Sequence, residues 1–477
     1  MACCSRRKFF FKAGGAVIAS SMLGEVLDVL ASTAQAVVSP AGPGSRYVPK
    51  VMAAFVRRRG EYGMLWPGQI YDGQAALKNY TRRIGAAAGE LGLEVDLRPE
   101  PIYSLEEADE WVAQAAAAKP DGLLVVVLDR QQHSWPTAVK AAESGIPTVI
   151  FSPLGTSFTT NTVGLADKEG VFIASTDDFS RAVYGLKMLK AGARLREMRF
   201  IVLEGDERRD TRLDFLGTRL RYVPAKSFLE EYNRTPLTGE IERVAAGYLR
   251  QAVRIEGPSE RDVLNGVKSF VVARSILERE EGDGITMDCL GAVGPTEVSL
   301  PCISWSLMND CGVPAACEAD LGACVAHALV QYLFDRPGFQ QDPVADTSKG
   351  CLIGSHCCCP TRLSGFDGPA EPFVLAHHHG KRDATPIPFW KAGQRVTVAD
   401  VLLPQGQRPE MLISAGEVVG NVPVPPSGGC VVAVMVKVDG VDELLDFPGF
   451  HQLFFYGDYK RELKQYCRLF GIKATVV

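Results

Sequence analysis

Four short apolar runs, at residues 51–56, 93–97, 123–128 and 147–151, are separated by stretches whose apolar positions recur at helical spacing. This alternation constrains the chain more than any other feature. Strands that alternate with helices pair in parallel, because each crossover returns the chain to the same end of the sheet. Ser104 and Glu107 make a capping box that opens a helix with Trp111, Val112 and Ala115 on one face, and Gly145 closes the next helix before Ile146-Pro147. The expected fold is therefore α/β, built on a doubly wound parallel sheet whose ligands bind beyond the carboxyl ends of its strands.

The alternation continues with a strand at 200–203, helices at 241–253 and 261–279, and a buried strand at 285–290. A helix over 320–334 follows, with Leu321, Cys324, Val325, Ala328 and Leu329 on one stripe and His327 as a packed or surface histidine. Beyond Pro343 the texture changes to short β-rich segments at 396–403, 410–413, 431–438 and 453–456, punctuated by Gly and Pro, which predict a small antiparallel barrel. A last helix at 458–470 is closed by Gly471 before a terminal strand. The expected domains are an N-terminal α/β unit at 37–170, a central α/β unit at 171–335 and a C-terminal β-barrel at 336–477. Neither Gly14-Gly15 nor the glycines of Pro426-Ser-Gly-Gly429 follows a strand and opens a helix, so no nucleotide cofactor is expected.

Residues 1–36 have the pattern of a twin-arginine signal peptide: Ser5-Arg-Arg-Lys-Phe-Phe10, a weakly apolar stretch at 13–24, and Ala34-Gln-Ala36. The expected location is periplasmic or extracellular. Glu25 and Asp28 interrupt the best candidate for a span of about 20 apolar residues, so no membrane anchor is expected. That segment carries a net charge of +2, which leaves −7 of the whole-chain −5 on the remainder and argues against nucleic acid as a partner. The short basic runs Arg57-Arg-Arg59 and Arg208-Arg209 are expected on solvated faces. Of 13 cysteines, 11 remain after Cys3 and Cys4, crowded between Cys289 and Cys359 with only Cys430 and Cys467 beyond. An odd number crowded into one region is not a disulfide framework. Export of an already folded chain would let thiols stay buried and reduced, and a metal be loaded, before an oxidising compartment is reached.

Two carboxylates and two imidazoles sit where elements give way to loops: Glu318 in Pro314-Ala-Ala-Cys-Glu-Ala-Asp320, Asp342 in Gly338-Phe-Gln-Gln-Asp-Pro343, His356 in Gly354-Ser-His-Cys357, and His451 in Gly449-Phe-His-Gln452. Carboxylate oxygen with imidazole nitrogen suits Mn²⁺, Fe²⁺, Co²⁺ or Zn²⁺, and without thiolate it favours the harder ions, Mn²⁺ first. Cys357-Cys358-Cys359 compete, since thiolate with imidazole is a zinc set. Consecutive cysteines chelate one ion poorly, zinc ligands usually standing about two to four residues apart, so burial as small apolar side chains is expected.

The run Gly284-Ile-Thr-Met-Asp-Cys-Leu290, with Leu300-Pro-Cys302, Leu307-Met-Asn-Asp310, Pro314-Ala-Ala-Cys-Glu-Ala-Asp-Leu321 and Gly354-Ser-His356, resembles the L-fucose/L-arabinose isomerase family over roughly the second half of the chain. Glu318 and Asp342 stand 24 residues apart (342 − 318), similar to the metal-binding Glu and Asp of L-fucose isomerases. Gly354-Ser-His356 is similar to the ligand loop of L-arabinose isomerases, and the stretch from His451 through Phe455 to Val477 to the end of both. The resemblance implies two flavodoxin-like doubly wound α/β domains, then a β-barrel, with metal ligands at the junction and assembly as a homo-oligomer, a trimer or hexamer. It implies a manganese-dependent aldose–ketose isomerase acting on a sugar by enediol proton transfer. Glu318 and Asp342 would be both ligands and acid/base groups, and His356 and His451 would position the metal. Trp305, Asp288, His377 and His378 are the expected sugar contacts. Two other readings keep the same residues: an exported sugar-binding protein without turnover, and a metal-dependent epimerase.

Overall fold

The computed structural model describes residues 38, 40–65, 70–130, 132–378, 384–423 and 429–477. The export segment expected at 1–36 lies outside the described residues, as does most of the glycine stretch at 426–429. The architecture is mixed α/β with a closed barrel near the C terminus.

The first sheet holds five parallel strands, in chain order Lys50–Val56, Glu94–Leu97, Gly122–Val127, Thr148–Ser152 and Val171–Ser175, arranged second, first, third, fourth, fifth. Successive side chains of a strand point to opposite faces. Val51, Ala53 and Phe55 accordingly pack with Tyr80 and Ile84 of helix Gly73–Leu91, while Met52, Ala54 and Val56 pack with Trp111 and Ala115 of helix Leu105–Ala118. Two covered faces explain why Gly122–Val127 is apolar throughout. Half of the predicted capping box is present: Ser104 accepts from the Glu107 amide, but the Glu107 carboxylate accepts from the Tyr103 amide instead of that of Ser104. Val171–Ser175, just beyond the boundary expected at residue 170, completes this sheet by pairing with Thr148–Ser152.

A second sheet runs Ala315–Cys317, Gly284–Met287, Arg199–Leu203, Arg219–Val223, Arg209–Arg212, parallel except for the last, hairpin-linked strand. Its buried strand is shorter than expected. After Met287 the chain turns, and Asp288 caps the short helix Cys289–Ala292 through the Gly291 amide. The basic runs are not simply solvated. Arg57 is buried and donates to Gln74, Gly60 and Arg58, Arg58 pairs with the buried Asp129, and Arg208 makes a two-pronged ion pair with Glu280.

Six antiparallel strands close the barrel in the order Arg395–Leu402, Gln452–Tyr456, Phe339–Asp346, Cys351–His356, Val432–Val438, Glu410–Asn421, the last pairing back to the first. Phe339, Leu352, Val398, Val434, Val436 and Phe454 belong to its core. Lys473–Val476 joins Glu410–Asn421 in parallel, after helix Lys460–Phe470 has ended at Gly471 in the left-handed conformation. Two of the barrel strands, Phe339–Asp346 and Cys351–His356, carry no clear alternation in the sequence, yet they carry Asp342 and His356. Helix Leu321–Phe334 is buried nearly all round, and its His327 is fully enclosed, with burial pushing the imidazole down to about 3 and so keeping it neutral. Among the described residues, no helix is long and apolar enough to cross a membrane.

Candidate metal centre

Strand Ala315–Cys317 stops at the edge of the second sheet, and the chain has three residues in which to turn into helix Leu321–Phe334. Glu318 and Ala319 make that turn at φ 60° and 54°, in the left-handed region, and Asp320 then caps the helix by accepting from the Ala323 amide. His451 is left-handed too, at φ 52°. Such a conformation costs a side-chain-bearing residue about 1–2 kcal/mol. The remaining non-glycine cases, Lys119, Glu281 and Asp335, all follow helix C termini, where a left-handed residue is ordinary. At Glu318 and His451 the surroundings enforce it. The Gln340 side chain from the barrel bonds both the amide and the carbonyl of Cys317, at 2.8 and 3.4 Å. Asp400 accepts from the Phe450 amide, and Gly449, at φ 92°, has no side chain because a Cβ would stand 2.6 Å from an Asp400 carboxylate oxygen.

These supports bring all four expected ligands together where the second sheet meets the barrel. His451 Nε2 stands 3.4 Å from Glu318 Oε2 and 3.3 Å from Asp342 Oδ1, and His356 Nε2 stands 3.8 Å from Glu318 Oε1. Glu318, His356 and His451 offer ligand atoms that are all mutually within 4.8 Å; Asp342 joins through His451. His356 Nε2, His451 Nε2 and Asp342 Oδ1 are buried and meet no hydrogen-bond partner. Buried polar atoms without partners are costly, and a shared cation is what would satisfy all three. Ligands about 2.1 Å from one ion in tetrahedral array stand about 3.4 Å apart, so the donor set fits a divalent metal.

The electrostatics separate the two carboxyl groups. Pairing with His451, together with the His356 charge, outweighs burial and lowers the Glu318 pKa, whereas burial raises that of Asp342. Burial opposes protonation of His451, but the hydrogen bond to Asp320 and the pairing with Glu318 prevail and carry its pKa up to about 9 in the metal-free chain. Asp320 is the residue beside the candidate ligands that the sequence reading passed over. Its Oδ2 lies 2.8 Å from His451 Nδ1, which leaves Nε2 to face the carboxylates. A carboxylate on the far nitrogen of a ligating histidine fixes its tautomer and orientation. The sequence signal was present, an Asp two residues after the candidate ligand Glu, but it was absorbed by the helix start.

His356 has a second neighbourhood. Its Nδ1 lies 3.5 Å from Cys357 Sγ and 3.7 Å from Cys358 Sγ. None of the eleven described cysteines is in a disulfide. Hydrogen bonds from Cys302, Cys317 and Cys358 hold the Cys357 thiol well below its usual range. Burial works against protonation of His356, yet the charges of Cys357 and Cys358 push its pKa up.

The expected sugar contacts are scattered. Trp305 is fully buried in the second sheet's core, so neither ring face is open to a ligand and its role is packing. His378 is buried too, with Nδ1 3.4 Å from Cys302 Sγ, and belongs to the thiol neighbourhood instead of a sugar-facing loop. Asp288 is partly exposed and sits level with Glu318, one residue past the paired Met287 and Cys317. His377 lines a cavity of about 300 Å³ with Arg254, Glu256, Phe389 and Asn421, which none of the four metal-ligand candidates lines. His379 lies outside the described residues. Compared with known proteins, the chain matches no protein-family model and no curated protein.

Proposed function

We propose that the chain is a divalent-metal-dependent aldose–ketose isomerase related to the L-fucose/L-arabinose isomerases. The observation that carries this reading is the convergence of Glu318, Asp342, His356 and His451, with three of their donor atoms buried and unpartnered. Further support comes from the 2-1-3-4-5 order of the first sheet, the order of flavodoxin-like domains, and from the antiparallel barrel that follows the second sheet. Glu318, Asp342, His356 and His451 would hold the ion, Mn²⁺ by the hardness of the set. When bound, the ion supplies Lewis-acid polarisation of the sugar oxygens.

The protein's own groups divide the proton traffic. Glu318, whose pKa is lowered by pairing with His451, is the base that takes the proton from the carbon beside the carbonyl. Asp342, whose pKa burial raises, is the group better able to return a proton to the adjacent carbon. Asp320 holds His451 through Nδ1, and Gln340 fixes the Cys317 backbone from which Glu318 projects. Asp288 and His377 remain candidates for sugar contact. The resemblance extends the proposal to a homo-oligomer, a trimer or hexamer, and the twin-arginine pattern at 1–36 extends it to an exported one.

The test is ketose formation by the purified chain with Mn²⁺, against L-fucose, D-arabinose, L-arabinose and D-galactose. Metal-dependent product supports the isomerase. Inverted sugar without ketose would mean an epimerase. Saturable sugar binding with no product would mean a binding protein on the same scaffold.

A further inference from the structure

On the side of His356 away from the carboxylates, a second group of ligand atoms converges. Cys302 Sγ, Cys357 Sγ and a ring nitrogen of His378 all lie within 4.8 Å of one another, and all three residues are buried. They come from three separate elements: Cys302 opens helix Cys302–Asp310, Cys357 follows barrel strand Cys351–His356, and His378 follows strand Phe373–Ala376. Buried thiols by themselves need no ligand, since a reduced cysteine packs as a small apolar residue. Packing does not account for the imidazole, which is 4% exposed and turns Nδ1 to the Cys302 sulfur at 3.4 Å.

The fold also removes the objection to consecutive cysteines. Cys357 and Cys358 diverge: Cys357 joins Cys302 and His378, while Cys358 joins Cys317 and His356 in a different group. Two neighbours in sequence therefore do not compete for one coordination sphere. We propose that Cys302, Cys357 and His378 bind a soft ion of the zinc class, at a site separate from the carboxylate–imidazole centre. Two thiolates and an imidazole are a zinc set, whereas the neighbouring carboxylates and imidazoles favour a harder ion. Cys302 and Cys357 bind as thiolates, the Cys302 proton going to solvent, and His378 binds as the neutral imidazole. The ion would tie the helix of the second sheet to the strand end that presents His356. The proposal does not depend on the isomerase reading.

Cobalt reports on this directly, because thiolate-bound Co²⁺ shows intense sulfur-to-metal charge-transfer absorption in the near ultraviolet and a carboxylate–imidazole site does not. The full-length chain, stripped of metal under reducing conditions and titrated with Co²⁺, should develop that absorption, and Zn²⁺ should bleach it. Glu318→Gln should leave it intact. Cys302→Ser should remove about half of its intensity, one of two thiolates being lost, and so should Cys357→Ser. If the serine variants do not fold, His378→Gln carries the decision: the absorption should persist while Co²⁺ binds at least about tenfold more weakly. No charge-transfer absorption in the wild-type chain overturns the proposal. So does full absorption in a folded Cys302→Ser chain, unchanged Co²⁺ affinity in His378→Gln, or loss in Cys358→Ser alone, which would place the ion with Cys317 and His356.

Discussion

The two sides of His356 differ in exposure and in chemistry. Toward Nε2 lie Glu318 and Asp342, whose side chains are 35% and 30% exposed, so solvent and a ligand can reach them. Toward Nδ1 lie Cys357 and Cys358 at 3% and 1%, sealed in the same core as Trp305. One imidazole thus separates an accessible cluster of hard donors from an enclosed cluster of soft ones. Accessibility is what turnover needs, and enclosure is what keeps thiols reduced and an ion in place. The lesson is that strand ends and loops built for chemistry can share a residue with a core built for stability.

The comparison breaks most sharply at Glu318. Glu318→Gln keeps the shape but removes charge and basicity, so turnover should fall by about 10²–10⁴-fold with an unchanged melting temperature, read by ketose formation and thermal unfolding. Equal activity would remove the assignment. On the sealed side, Trp305→Ala should cost about 3–5 kcal/mol of stability, read by denaturant unfolding, and leave sugar KM unchanged in the folded fraction. A raised KM at unchanged stability would restore Trp305 as a sugar contact. Asp320→Asn leaves every ligand in place but loses the anionic acceptor at His451 Nδ1. The divalent ion should bind about 10–100-fold more weakly, measured by calorimetry, with the His451 pKa lowered.

The remaining effect is a pH dependence. His451 has its pKa raised in the folded, metal-free chain from 6.5 to about 9. Its protonated form therefore contributes stability that is complete below about 6.5 and is lost as pH rises through about 9. A divalent ion must displace that proton, so affinity should rise about tenfold per pH unit across the same window and level off above it. Calorimetry at pH 7.5 in two buffers of different ionisation heat would show proton release, and none would mean that the ion does not displace the His451 proton.

Much of the frame was legible because it follows from local periodicity. All four strands read at 51–151 lie in the first sheet, since buried parallel strands are near-continuous apolar runs. The last barrel strands alternate clearly enough to be read, but in Phe339–Asp346 the second and third residues are Gln340 and Gln341, whose buried amides bond Cys317 and Gln452. A polar pair inside a strand has no period, so that strand was missed although the Asp342 it carries was found. Trp305 and His378 were misplaced for a related reason, because an aromatic near a site motif looks the same in sequence whether it faces a cavity or a core.

The order of apolar runs and helical stripes, together with residue types at four loop boundaries, determined from sequence alone that an α/β frame and a barrel would flank a carboxylate–imidazole set. Only the tertiary structure decided which atoms face one another. Asp320 and His451 are 131 residues apart in the chain, yet they share a 2.8 Å hydrogen bond. Cys357 and Cys358 are adjacent in the chain and belong to different ligand groups. Periodicity reports the face on which a side chain lies, whereas coordination depends on distances of a few ångströms between elements, which packing alone establishes.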